Sequence, residues 1–161
     1  MYVDALSFLE DERDAWAPFE ALLDLSDEAL ERPTDPGGSA HGWSGRDLMA
    51  HLSSWQAICL AAARELAVGQ ASEAIDRAAE EWKAGGDLMN ARLVSSWHDL
   101  ALDEVRQRFR DTPGELRGYL TVVPETRWIK HPAHLEFFLG STIDHYPEHL
   151  PELAAILAAA G

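Results

Sequence analysis

Trp43-Ser44-Gly45-Arg46-Asp47-Leu48-Met49-Ala50-His51-Leu52 is the stretch whose reading decides the fold. Ser44 is a natural N-cap. Asp47 follows three residues later, close to a capping box, with its carboxylate where the positive end of a helix favours it. This predicts a helix that starts sharply after Ser44. Its apolar stripe runs through Leu48, Leu52, Trp55, Cys59, Ala62, Ala63 and Leu66, and Gly69 ends it. His51 falls on that stripe, so the sequence turns an imidazole toward the core. Trp43, just before the cap, is placed to pack on Leu48 or a near neighbour as a hydrophobic staple.

The same periodicity recurs on both sides. Residues 3–25 carry apolar side chains at helical spacing, with Pro18 predicting a kink or a late start. Ser26-Asp27-Glu28 reads as a cap and a last helical turn, and residues 32–42 read as a loop rich in proline and glycine. Residues 71–84 predict a short inserted helix, rich in alanine and acids, broken by Gly85-Gly86. A stripe of Leu102, Val105, Phe109, Leu116, Tyr119 and Leu120 predicts another helix, with a break, a kink or a first-turn proline expected at Thr112-Pro113-Gly114. Leu120-Thr121-Val122-Val123 is the one strand candidate. Residues 124–132 read as a loop. A last helix is predicted through Leu139, Thr142, Ile143, Tyr146, His149, Leu153 and Ile156. Four main helices and an inserted short one predict an all-α bundle, with residues 1–161 as one domain.

Composition narrows the function. Nearly half of the 161 residues are apolar, so a folded chain is expected. The formal charge of −15 argues against a nucleic-acid partner and against an anionic membrane surface. A single cysteine, Cys59, permits no internal disulfide and reads as a small core residue. There is no leader pattern and no apolar stretch long enough to span a membrane, so the expectation is a soluble cytoplasmic protein.

The histidines carry the chemistry. His145 and His149 stand four apart in Asp144-His145-Tyr146-Pro147-Glu148-His149-Leu150. On a helix, residues at that spacing lie one above the other and can grip one ion. Bundle cores build metal sites from side chains on facing helices, and His51 is the third imidazole on an inward stripe. Three ligands leave a coordination position open, which is the pattern of sites that do chemistry. Pro147 between the two ligands either distorts their spacing or starts a helical turn locally. His131 and His134, three apart in a loop or at a helix start, read as solvated histidines, with a second metal site as the alternative. His41 and His98 receive no role, although His41 precedes the site helix and is placed near the pocket mouth. Asp144 and Glu148 are the acids nearest the ligands and the candidates for orienting them, Glu148 reading more simply as a solvated acid.

Trp43 to Leu52 resembles the start of the second helix in the DinB/YfiT-like superfamily, with its pattern W-[ST]-x-x-[DE]-hydrophobic-x-x-H-[LI]. This superfamily includes the N-terminal domains of mycothiol-dependent maleylpyruvate isomerases. Thr142 to Leu150 resembles its last-helix His-x-x-x-His, and the two motifs occur in the expected order and separation. The departure is Pro147. The resemblance implies a four-helix bundle, often dimeric, with a divalent ion held by His51, His145 and His149. It also implies thiol-dependent transferase or isomerase activity, or metal-dependent hydrolysis, with a low-molecular-weight thiol as a further cofactor.

Two functions are therefore expected to compete. The first is a metal-dependent enzyme on a small organic substrate, using zinc or nickel, since imidazoles select weakly among such ions. The alternative is a non-catalytic metal-binding or stress-related binding module of the same fold. A homodimer is expected from the resemblance, and from the many tryptophans and alanines on helix faces.

Overall fold

In a computed structural model, which describes residues 2–161, the helices are α1 (Ala5–Trp16), α2 (Asp27–Glu31), α3 (Gly45–Val68), α4 (Glu73–Ser95), α5 (Leu102–Leu120), α6 (Pro132–Ser141) and α7 (Leu150–Ala160). Tighter 3-10 turns occupy Ala17–Asp24, Glu125–Arg127 and Tyr146–His149. No strand occurs among the described residues, so the chain is all-helical as the periodicity predicts.

The helix α3 is the central element and packs on α4 and α5, with α2, α6 and α7 also against it. Its start is fixed by a complete capping box. The Asp47 N–H donates to Ser44 Oγ at 3.2 Å, and the Ser44 N–H donates to Asp47 Oδ2 at 3.0 Å. Leu30 of α2 packs so closely here that a Cβ on Gly45 would lie 2.7 Å from its Cδ2. Arg46 fastens the same end. Its Nη1 donates to Glu31 at 2.8 Å, and its Nη2 donates to the carbonyls of Trp97, His98 and Leu100. Gly69 closes the helix, its N–H donating to the Glu65 carbonyl.

Apolar side chains fill the space around α3 at both ends. Trp16, Phe19, Leu48, Leu52, Phe109 and Tyr146 form one buried cluster. Phe8, Leu66, Leu116, Leu120, Trp128 and Phe138 form another. Trp16, Trp55 and Trp97 are buried as expected, and Cys59 is wholly enclosed.

Some expectations hold and others are corrected. Ser26 is a cap as expected, the N-cap of α2, with its Oγ accepting from Ala29 N–H, and the helical turn it opens runs on to Glu31. The chain does leave α1 before Pro18, which lies in the first turn of the 3-10 segment Ala17–Asp24. The short helix expected over residues 71–84 is present as the first part of α4, beginning at Glu73, and the break expected at Gly85-Gly86 is a kink at Gly85, whose backbone is non-helical (φ 167°, ψ 95°) and divides α4 into two helices. Pro113 does not break α5, which continues through it to Leu120. An interior proline costs about 3 kcal/mol, but Val105, Phe109, Leu116 and Leu120 are buried on both sides of it. Each such side chain contributes about 1.5–3 kcal/mol by burial, so the helix survives. Leu120 to Val123 is the end of α5 and a turn, not a strand.

The last predicted helix is the largest correction. It is two helices, α6 and α7, joined by a turn and the 3-10 segment Tyr146–His149. Thr142 is the residue after α6 and leaves the helical region, with φ −132° and ψ −95°. Pro147 and Pro151 both occupy first-turn positions, where a missing N–H costs nothing. Prolines therefore divide this segment into short starts.

Candidate metal centre

Each imidazole of the triad arrives on a different kind of backbone. His51 projects from the second turn of the long, capped α3. His145 ends the turn after α6, and His149 ends the 3-10 segment that follows. Despite that irregular backbone, the three Nε2 atoms converge. They lie 3.1 Å (His51–His145), 3.1 Å (His51–His149) and 2.9 Å (His145–His149) apart. The spacing read from the sequence thus survives Pro147, on a 3-10 turn and not on an α-helix.

This triangle cannot satisfy itself with protons. A ring nitrogen either donates or accepts, never both. Among three facing atoms at least two must share a role, so one pair always opposes like with like. A cation in contact with all three removes the conflict, because every Nε2 then acts as an acceptor. The spacing suits that arrangement. Nitrogens about 2.1 Å from one ion are about 3.0 Å apart when their bonds meet at right angles, and about 3.4 Å apart at the tetrahedral angle. His51, His145 and His149 form the one group of metal-ligating side chains with this convergence among the described residues.

Burial keeps the imidazoles neutral, as ligands must be. His51 is 2 % exposed. Burial pulls its pKa down to about 3, with a further push from His145 and His149. Burial, then His149, brings His145 down to about 4, while the nearby Ser141 backbone acts in the opposite sense. His149 is also lowered, mainly by burial, against the opposing charges of Glu152 and Glu148. The Nδ1 atoms of all three are buried without a hydrogen-bond partner.

The carboxylate beside the triad is one the sequence reading missed. Glu152 Oε2 lies 3.6 Å from His149 Nδ1, and its other oxygen lies 3.9 Å from His41 Nε2. Its position was legible, since 145, 149, 152 and 156 repeat at steps of four, three and four. Asp144 is exposed and lines a separate cleft with Ile129 and Lys130, so it does not orient the ligands. Glu148 is exposed and lines the cleft above the triad. His41 stands outside that cleft and meets the site only through Glu152.

A buried polar chain fixes the ligand-bearing turn from below. Tyr146, between the two ligands in sequence, donates from its hydroxyl to Glu12 Oε1 at 2.9 Å and accepts from Gln56 Nε2 at 3.0 Å. Glu12 is 1 % exposed and ion-paired with Arg117 at 2.5 Å. Burial, reinforced by Glu12, raises the Tyr146 pKa well above its ordinary value, so the hydroxyl stays a donor. Glu12 went unassigned because it sits in an acidic run. Its spacing from Leu9 and Trp16 was the available signal.

The triad forms the floor of a cleft of about 540 Å³. Trp55 and Phe137 wall it, with Trp82, Asn90, Glu136 and Glu148 around them. Trp43, expected as a staple, does pack against the cluster that holds Leu48. Its ring also lies 5.2 Å from His51 and stacks on His149 at 6.3 Å, and with Asp47, Asp87 and His98 it lines a second cleft that reaches the same two histidines.

His131 and His134 are not free loop histidines; they lie at the start of α6. Their rings stack at 3.7 Å and both are partly buried. His131 caps α6 by accepting from His134 N–H at 3.3 Å, and His134 Nδ1 donates to the Arg127 carbonyl. Cys59 offers no nucleophile, since burial raises its thiol to about 12.

No protein-family model matches this chain, and neither a curated protein nor a solved structure is significantly similar to it. No helix among the described residues is long and apolar enough to cross a membrane.

Proposed function

We propose that this chain is a metal-dependent enzyme acting on a small organic substrate, with a divalent ion, zinc or nickel, held by His51, His145 and His149. The observation that carries the reading is the convergence of three Nε2 atoms within 3.1 Å at the floor of a cleft large enough for a small molecule. The right-angle spacing of the donors leaves the cleft side of such an ion free for water and substrate. An ion there would polarise a carbonyl, or lower the pKa of a bound water or thiol. The chain's own groups supply the rest. Trp55 and Phe137 give the cleft an apolar wall, and Glu136 and Glu148 make its lining acidic. Glu152 orients His149 from behind.

In this reading the helices form a four-helix bundle of the DinB/YfiT-like type, supported by the Trp43–Leu52 motif with its capping box and by His145 and His149. Thiol-dependent transfer or isomerisation and hydrolysis remain the two reaction classes, because both use the same activation. The test is metal analysis of untagged protein, followed by reconstitution of chelator-treated protein with zinc and with nickel. One ion per chain is expected. A folded chain that takes up neither metal would sink the proposal.

A further inference from the structure

The charges and aromatic rings around the cleft define what it accepts. Resting on the metal-site reading above, we propose that the substrate carries an organic cation, an ammonium or similar group, held at the cleft mouth while its reacting end faces the triad.

Three observations support this. First, no lysine or arginine lines the cleft; its charged residues other than the histidines are Glu136 and Glu148. Both are exposed, and neither is ion-paired among the described residues. Second, Trp55 and Trp82 meet edge to face, with centroids 5.8 Å apart and planes at 74°, and form an aromatic corner. A cation over an indole face gains about 0.5–2 kcal/mol. Third, the corner is set before any ligand arrives. Trp55 Nε1 donates to Asn90 Oδ1 at 3.0 Å. Trp82 is 53 % exposed yet lies on the backbone of Gly86, where a Cβ would come within 2.9 Å of the ring. Glycine at 86, beside the extended Gly85, lets the indole lie flat at the cleft mouth.

Distance assigns the two ends of the substrate. Trp55 lies 6.1 Å from His145, so one ring separates the Trp82 side of the corner from the triad. A small molecule can therefore place a cation against Trp82 and the carboxylates and still present a donor atom to the floor. An anionic substrate would meet two like charges with no cationic side chain to offset them.

Calorimetric titration of the full chain, first metal-free and then zinc-loaded, tests this with three probes of one shape and different charge: benzylammonium, benzyl alcohol and benzoate. In the metal-free protein benzylammonium is expected to bind about ten-fold tighter than benzyl alcohol, with benzoate weakest. The preference of benzylammonium over benzyl alcohol should persist with zinc. It should disappear in Trp82→Ala and in the double variant E136Q/E148Q, whose exposed positions leave the fold intact. Equal binding of the three probes, tighter binding of benzoate to the metal-free chain, no binding of any, or a preference that survives in both variants would overturn the proposal. Because the first titration needs no metal, failure of zinc uptake removes the enzyme reading without deciding this one.

Discussion

Two histidine pairs in this chain look alike in sequence and differ in kind. His131 and His134 flank a proline, as do His145 and His149. In the first pair the imidazoles do backbone work, with Nδ1 of His131 accepting a cap hydrogen bond and Nδ1 of His134 bonded to a carbonyl. In the second pair both Nδ1 atoms are buried without partners, and both Nε2 atoms point at a third imidazole. A histidine whose nitrogens are spoken for is part of the scaffold. A cluster whose nitrogens face one another has the form of a site that an ion would complete. Spacing alone does not separate these cases; the fate of each nitrogen does.

The comparison can be broken most forcefully with acid. Imidazoles in the unfolded chain protonate near pH 6.5, whereas burial holds His51 neutral to about 3 and His145 to about 4. Below pH 6.5 the unfolded state therefore binds more protons, and the metal-free protein loses stability as pH falls toward 4. The slope is about 1.4 kcal/mol per pH unit for each histidine, and above pH 6.5 these groups contribute no pH dependence. Urea denaturation with chelator present, between pH 4.5 and 7.5, measures it; a flat profile would mean that the triad is not buried as described.

Substitution separates the pairs next. His51→Ala, His145→Ala and His149→Ala should each lower zinc affinity by at least about 100-fold, more than the loss of an outer partner costs. His131→Ala and His134→Ala should leave zinc affinity unchanged. Competition with a chromophoric chelator reads both. Zinc binding that withstands removal of one triad histidine would exclude it as a ligand.

Tyr146→Phe probes what holds the second pair in place. It leaves the buried Glu12 and Gln56 each short of a partner and should cost about 1–3 kcal/mol in urea denaturation. Glu152→Gln is gentler. Removing the charge behind His149 should weaken zinc binding by about 10-fold with little change in unfolding midpoint without metal. A stability loss with unchanged zinc affinity would make Glu152 a packing residue. The smallest effect is expected from the scaffold pair, where His131→Ala should cost about 1 kcal/mol of thermal stability through loss of the α6 cap.

How far the sequence carried can be read from particular residues. The start of α3 was legible because Ser44, Asp47 and the stripe behind them are local signals that agree. The three histidines were legible because two lie on stripes and one repeats at a helical step. The break between α6 and α7 was not, because the apolar stripe runs across it while Pro147 and Pro151 reset the backbone. Pro113 misled in the opposite direction, since burial on either side outweighs its local cost. Glu152, Trp82 and Glu136 stayed hidden for another reason. Their roles depend on which elements meet across the cleft, and no local pattern states that.

One consequence lies in the separation of the ligands along the chain. His51 stands 94 and 98 residues from His145 and His149, so α4, α5 and α6 all lie inside the loop between them. An ion gripping all three would close that loop as a cross-link does. Closing a loop near 100 residues covalently removes up to about 5 kcal/mol of chain entropy from the unfolded state. Yet the ion has no complete site until the segment carrying His145 and His149 docks on α3. Metal capture would then be the closing event of assembly, and a fully occupied site would certify that the two distant parts of the chain have found each other.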